Sequence, residues 1–273
     1  MISRLTILEM MTLIDSHVHL NDEAFHHNVD EIITKSMNSG VEAFVCVGYD
    51  NSTNLKALAI AEQYPNVFCT VGFHPSHAQH VKPEDMTHLE EMLRHPKVVG
   101  IGECGLDYFW DQTYKAVQHD VFKAQIDLAN KTGKPLVIHM RDSAHDVLEM
   151  LKKYKHQEIS GVMHCYSGSS EMVRDFVNEN LYISLAGPVT FKNAVTPKAV
   201  AKIIPSHRLL IETDAPYLAP HPYRGKENNP SFLPIILESI AFLRNMDIKD
   251  LDQITMENTR NLFHLPIRKT FIE

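Results

Sequence analysis

Residues 135–165 read PLVIHMRDSAHDVLEMLKKYKHQEISGVMHC. Two short apolar runs, PLVIH and GVMHC, flank a stretch with helical periodicity. Within RDSAHDVLEMLKKY, the apolar residues Ala144, Val147, Leu148 and Leu151 share one helix face, and Asp142 or Ser143 is the N-cap. A strand, a helix and a second strand in this order predict a parallel pair joined by a crossover helix. Both apolar runs end in a histidine, His139 and His164.

The same alternation extends in both directions. The runs TLIDSHVHL, EAFVCVG, VFCTVGFH, KVVGIGE, LYISLAG and RLLIETD bring the strand candidates to eight. Helix-length stretches separate them. NSTNLKALAIAEQY offers Ser52 or Thr53 as a cap, and TYKAVQHDVFKAQIDLANKTG stops at Gly133. Eight strands alternating with helices predict an α/β chain with a parallel sheet. Closure removes both sheet edges, so the expected fold is a single (β/α)8 TIM barrel, with additional C-terminal helices near 231–264. The whole chain, 1–273, reads as one domain, with residues 1–10 as a peripheral extension. A doubly wound open sheet is the weaker alternative, because GIGECG lacks a third glycine at dinucleotide-binding spacing.

Composition narrows the function classes. The chain has 273 residues, is 44% hydrophobic and carries a net charge of -8, so its surface as a whole does not attract nucleic acid. No apolar run is long enough for a membrane span, and residues 1–10 lack a signal-peptide pattern. Cys46, Cys69, Cys104 and Cys165 are widely spaced, which predicts reduced thiols and a cytoplasmic protein. Strand alternation would turn Cys104 and Cys165 away from the neighbouring polar residues. No obligate protein partner is expected.

In such barrels the C-terminal strand ends carry the chemistry. Here those ends read His17 and His19, His74, Glu103, His139 with Arg141, His164, and Glu212 with Asp214. His17 and His19, two apart on a strand, point to one side about 6–7 Å apart along the chain. Four strand-end histidines with Glu103 and Asp214 on one rim predict metal binding, because converging carboxylates and imidazoles are costly without cations. The donors are nitrogen and carboxylate oxygen, which suits Zn, Mn, Mg, Fe, Co or Ni. Five or six donors exceed one open ion. They predict two divalent metal ions about 3.5–4 Å apart, with Glu212 a candidate contact for a third.

The motifs DSHVHL, GFHP, GIGECGLDY, PLVIHMR, GVMHCYSG and LLIETDAPYL, followed by the YRGKENNP loop, resemble the TatD-type metal-dependent deoxyribonucleases over about residues 13–264. The resemblance implies a hydrolase that cleaves DNA phosphodiester bonds, directed at single strands or ends, through a metal-bound hydroxide. It implies that His17, His19 and Asp214 hold one metal, that His139 and His164 hold the other, and that Glu103 bridges both. Glu103 and Asp214 are then the catalytic carboxylates, with Asp214 accepting the proton of the water. Related amidohydrolases carry a carboxylated lysine on strand 4. This chain has Glu103 there, which argues against a dihydroorotase or phosphotriesterase-like reading.

Substrate contacts are expected from His74, Arg141, Arg224 and Tyr108. His74 is a phosphate contact by resemblance. Arg141 either meets a phosphate or pairs with Asp142, Glu149 or another acid. Arg224 suits a phosphate through its two-pronged donors. Tyr108, Phe109 and Trp110 either stack a base or pack on one another. Glu212 and Asp214 have the same strand parity and so can face one side. Glu212 then supports a ligand histidine, touches a third metal, or pairs with Arg141 or another cation. DNA is the expected transient partner. The alternatives are hydrolysis of a small cyclic amide, ester or phosphorylated metabolite, or a non-catalytic barrel used for protein interaction.

Overall fold

The structure, a computed structural model, describes residues 11–110 and 112–266. The expected peripheral extension, residues 1–10, lies outside the described residues. Eight parallel strands pair in sequence order: β1 (Leu13–Val18), β2 (Val41–Val47), β3 (Val67–Val71), β4 (Val98–Asp107), β5 (Leu136–Arg141), β6 (Gly161–Met163), β7 (Leu181–Leu185) and β8 (Leu209–Ile211). Each crossover carries one helix: α1 (Val29–Met37), α2 (Asn51–Gln63), α3 (Pro83–Met92), α4 (Lys115–Thr132), α5 (Ala144–Tyr154), α6 (Val173–Asn178) and α7 (Thr196–Ile203). Two further helices, α8 (Leu233–Arg244) and α9 (Ile248–Phe263), follow β8 where C-terminal helices are expected. This is the (β/α)8 barrel. None of the described helices is long and apolar enough to cross a membrane.

Backbone and side-chain bonds join β8 to β1 at the seam. Asp214 N–H donates to His17 O (3.0 Å), and His19 N–H donates to Ala215 O (2.9 Å). Asp15 accepts from the Thr213 amide (2.9 Å) and from the Thr213 hydroxyl. One apolar cluster takes a residue from every strand: Ile14, Val45, Phe68, Val99, Val137, Val162, Tyr182 and Leu210. Leu262, Phe263 and Leu265 close its floor from the end of α9. In or immediately after β5, β6, β7 and β8, the residue two positions after the apolar one is polar: His139, His164, Ser184 and Glu212. Period-2 geometry therefore stacks the polar rim directly on an apolar floor.

Three local expectations change. Helix α2 is capped by Asp50, whose carboxylate accepts from Thr53 N–H (2.8 Å), rather than by Ser52 or Thr53. Strand β4 does not stop at Glu103. It runs on to Asp107, pairing Gly105 with His139 and Asp107 with Arg141. Gly102 and Gly105, with φ of 149° and 128°, mimic a strand end in sequence but permit close packing here. A Cβ on Gly102 would lie 2.4 Å from Val137 O, and one on Gly72 would lie 2.6 Å from Gly102 Cα. Strand β8 stops at Ile211, and Asp214 adopts a left-handed φ of 57°. Strand parity therefore does not set the relation of Glu212 to Asp214.

Buried carboxamides fasten the rim. From α4, Gln125 pairs with Phe73 N and O (2.8 and 3.1 Å), and Gln118 pairs with Asp107 N and O (both 3.0 Å). From α2, Asn54 pairs with Gly72 N and O (3.0 and 2.9 Å). At the opposite end, Asp252 of α9 accepts from Thr12 N–H (3.1 Å). Burial pushes the Asp252 carboxyl up to about 6 against that amide, and Glu42 adds to the rise. A raised acid binds its proton more tightly in the folded chain. Its contribution to stability is full below about pH 4 and is lost as pH rises through about 6. Asp252→Asn is therefore expected to stabilise the protein at pH 8 by up to about 3 kcal/mol and to do little at pH 4. Urea unfolding of both proteins at the two pH values, with EDTA present, checks this.

Candidate metal centre

Glu103 sits in the middle of the rim, buried, and its two oxygens face different partners. Oε2 lies 3.6 Å from His17 Nε2 and 3.7 Å from His19 Nε2. Oε1 lies 3.0 Å from His139 Nδ1, 3.4 Å from His164 Nε2 and 3.5 Å from His74 Nε2. Asp214 Oδ1 completes the first group, 3.4 Å from His19 Nε2 and 3.8 Å from His17 Nε2. The six residues expected to bind metal are thus brought together, with Glu103 shared between His17, His19 and Asp214 on one side and His139 and His164 on the other.

The outward nitrogens fix how the rings present themselves. His19 Nδ1 lies 3.0 Å from Val47 O, and a carbonyl can only accept, so Nδ1 holds the proton and the lone pair of Nε2 faces inward. His19 Nε2 is 3.2 Å from His17 Nε2, with the two carboxylate oxygens close by. A cation placed there would be met by both rings and both carboxylate oxygens at once. His164 turns Nδ1 to Glu212 Oε1 (2.9 Å) and Nε2 to Glu103. His139 turns Nε2 to Asp107 Oδ2 (2.9 Å) and Nδ1 to Glu103. Each of these two rings therefore has a carboxylate behind it, the arrangement that orients metal-binding imidazoles and raises their basicity.

His74 behaves differently. Its Nδ1 accepts from Ser76 N–H (3.1 Å), so its neutral ring carries the proton on the inward Nε2. Burial and the neighbouring His139 push its pKa down to about 3, which keeps the ring neutral. It presents a donor where the other four histidines can present lone pairs.

The electrostatics carry the same demand for positive charge. Burial opposes ionisation of Glu103, but His164 and His139 outweigh it and hold the carboxyl well below its usual range. Asp214 is also lowered against burial, by His19, His164 and His17. Burial works against a charged His164, yet Glu212 and Glu103 raise it well above the ordinary histidine value. Among the described residues, no lysine or arginine forms an ion pair with Glu103, Asp107, Glu212 or Asp214.

Glu212 lies behind His164. Its Oε1 also accepts from Cys165 N–H (2.7 Å), and its Oε2 accepts from the Ser184 hydroxyl (2.6 Å). Among the described residues its charged neighbour is His164; no ion pair to Arg141 forms. Arg141 also makes none with Asp142 or Glu149 among the described residues. Its guanidinium lies 3.7 Å from the centre of the Phe109 ring and lines a cavity of about 450 Å3 beside the centre. Met140, Leu185, Val189 and Leu218 give that cavity apolar walls, and His139, His164 and Asp214 border it. Cys165 lines it too, because a φ of 40° overrides the alternation that would turn it away. Cys104 stays buried, as expected.

Two expected substrate contacts are not brought to the cluster. Tyr108 is buried, and its hydroxyl meets His119 Nε2 and Asp146 Oδ2, both at 2.6 Å. Arg224 is exposed in the loop after β8, with its guanidinium 4.5 Å from the Phe191 ring centre. Asp107 is the site residue that sequence reasoning missed. Its signal was parity: Glu103, Gly105 and Asp107 alternate along one strand.

Known proteins resemble the chain over nearly its whole length. Residues 14–264 match the family described as TatD related DNase. A Bacillus subtilis protein named uncharacterized metal-dependent hydrolase YabD is 44% identical over 253 residues, covering 93% of this chain and 99% of that protein. An Edwardsiella piscicida protein named 3'-5' ssDNA/RNA exonuclease TatD is 34% identical over 260 residues, covering 93% and 100%. The crystal structure of YJJV, a TatD homolog from Escherichia coli K12, superposes with a TM-score of 0.89 at 26% identity, covering 94% and 99%. With its rim of converging histidines and carboxylates, the chain belongs to the TatD related DNase family and is a metal-dependent hydrolase.

Proposed function

We propose that this hydrolase cleaves phosphodiester bonds in DNA, acting on single strands or strand ends with two divalent cations. The observation that carries the reading is the division of Glu103 between two histidine groups. His17, His19 and Asp214 would hold one cation and His139 and His164 the other, with Glu103 within reach of both groups. Bound there, two divalent ions neutralise charge on a phosphodiester and make water a stronger nucleophile near neutral pH. The name of the Edwardsiella piscicida relative supports nucleic acid as the substrate.

The chain's own residues divide the remaining work. Asp214, ionised and at the edge of the cavity, accepts the proton of the attacking water at a carboxylate oxygen. His74 offers a hydrogen bond from Nε2–H to a phosphate oxygen, keeping its proton, and Arg141 supplies a permanent positive charge beside the cavity. Glu212 and Asp107 act behind the centre, fixing the rings of His164 and His139. The three hydrogen bonds already accepted by Glu212 favour this supporting role over contact with a third cation.

A time course on end-labelled single- and double-stranded DNA with several divalent metals, and with EDTA, tests the reading. Metal-dependent cleavage is expected, and Glu103→Gln should lower it roughly 1000-fold or more while the fold, read by circular dichroism, is kept. No cleavage with any metal, alongside turnover of small esters or cyclic amides, would overturn the DNA reading in favour of a small-molecule hydrolase. Glu212→Gln and Asp107→Ala are each expected to weaken metal affinity or activity by about 10- to 100-fold. Titration of metal against rate measures this, and excess metal should restore much of the rate. Unchanged metal dependence in both variants would leave those carboxylates a purely structural role.

A further inference from the structure

The loop after β4 divides its three consecutive aromatics. Tyr108 is buried against His119 and Asp146, while Phe109 and Trp110 are 50% and 73% exposed. Unlike a single exposed side chain, two adjacent open aromatics form a patch that a ligand can cover. Phe109 and Trp110 meet edge to face, with ring centres 4.8 Å apart. The Arg141 guanidinium lies 3.7 Å from the Phe109 ring centre and 5.3 Å from that of Trp110. Lys115 stands over the ring of the neighbouring Tyr108 at 3.9 Å, a second cation in this loop region.

This patch is continuous with the candidate centre. Arg141 lies two residues beyond His139 on β5 and lines the cavity that His139, His164 and Asp214 border. Asp107, bonded to His139, precedes Trp110 by three residues, a span of at most about 10 Å. Cations interleaved with open aromatic faces, beside a phosphodiester-sized cavity, form the pattern that holds unpaired nucleic acid. Bases stack on the rings, and the cations follow the backbone.

We infer that Phe109 and Trp110, with Arg141, form a stacking platform for an unpaired base of the strand being cut, with Trp110 as the face on which that base lies. The inference rests on the DNA reading above and deepens it by locating the source of single-strand preference. In a duplex, neighbouring base pairs already cover both faces of an internal base. A single strand or a frayed end offers a free face.

Trp110 is the one tryptophan in the chain, so its fluorescence reports on this position alone. The full chain carrying Glu103→Gln is titrated with a single-stranded oligonucleotide and, separately, with an abasic strand of the same length and charge. Quenching is expected with the first and little with the second. In the otherwise unaltered protein, Trp110→Ala should raise KM for single strands by about 5- to 150-fold with a smaller change on blunt duplex, and Trp110→Phe should restore most of the loss. Equal quenching by both strands, no quenching, or an unchanged KM in Trp110→Ala would overturn the platform. The quenching is read on protein that does not cut. A chain that stacks bases at Trp110 but cleaves no DNA would remove the nuclease reading and leave the platform standing.

Discussion

The two oxygens of Glu103 must each reach a different group of histidines, and much of the upper barrel is arranged around that requirement. A carboxylate shared in this way tolerates little displacement, because moving it toward one group withdraws it from the other. Strand β4 is accordingly held on both sides. Facing glycines let β3 and β4 approach below Glu103, and carboxamides from α2 and α4 grip the strand ends beside it. Those amides bond backbone groups that strand pairing leaves free at the rim, where an unmade bond costs about 1–3 kcal/mol.

The residues behind the histidines decide what each ring does. A carbonyl or carboxylate behind His19, His164 and His139 holds the outward proton, so that each ring, once neutral, turns a lone pair inside. A backbone amide behind His74 does the reverse. One residue type thus supplies both acceptors and a donor to the same pocket, and the difference is set by atoms that never touch a ligand. The buried negative charge also has a cost that the apolar floor increases, since low polarity beneath the rim strengthens every interaction above it.

Most of the barrel is legible in the sequence because its signals are local. PLVIH and GVMHC show strand ends, and the Ala144–Leu151 stripe shows a helix face. The six clustered donors follow from reading what ends each apolar run. Other features depend on partners far away in the chain and leave no periodic trace. Gln125 bonds Phe73, 52 residues away, yet reads as an ordinary polar helix residue. Asp107 was hidden because Gly102 and Gly105 look like a turn, whereas pairing with β5 carries the strand through them. The left-handed turn at Asp214 defeats parity reasoning, since alternation holds only while the backbone stays extended. Tyr108, Phe109 and Trp110 are alike in sequence, and packing alone buries the first and exposes the other two.

Helix α9 has a bearing on biosynthesis. Its end supplies Leu262 and Phe263 to the barrel floor, Asp252 meets the chain just before β1, and Asn258 donates to Ser206 and Leu209 carbonyls at the start of β8. Until residues 248–263 have left the ribosome, a nascent barrel has an uncovered apolar base and an unbraced junction between β1 and β8. The β1–β8 junction beneath the histidine-rich rim is therefore complete only after these residues have emerged. Closure of the barrel thus couples the start of its first strand to a helix residue 240 positions away in sequence, so the domain folds as a unit.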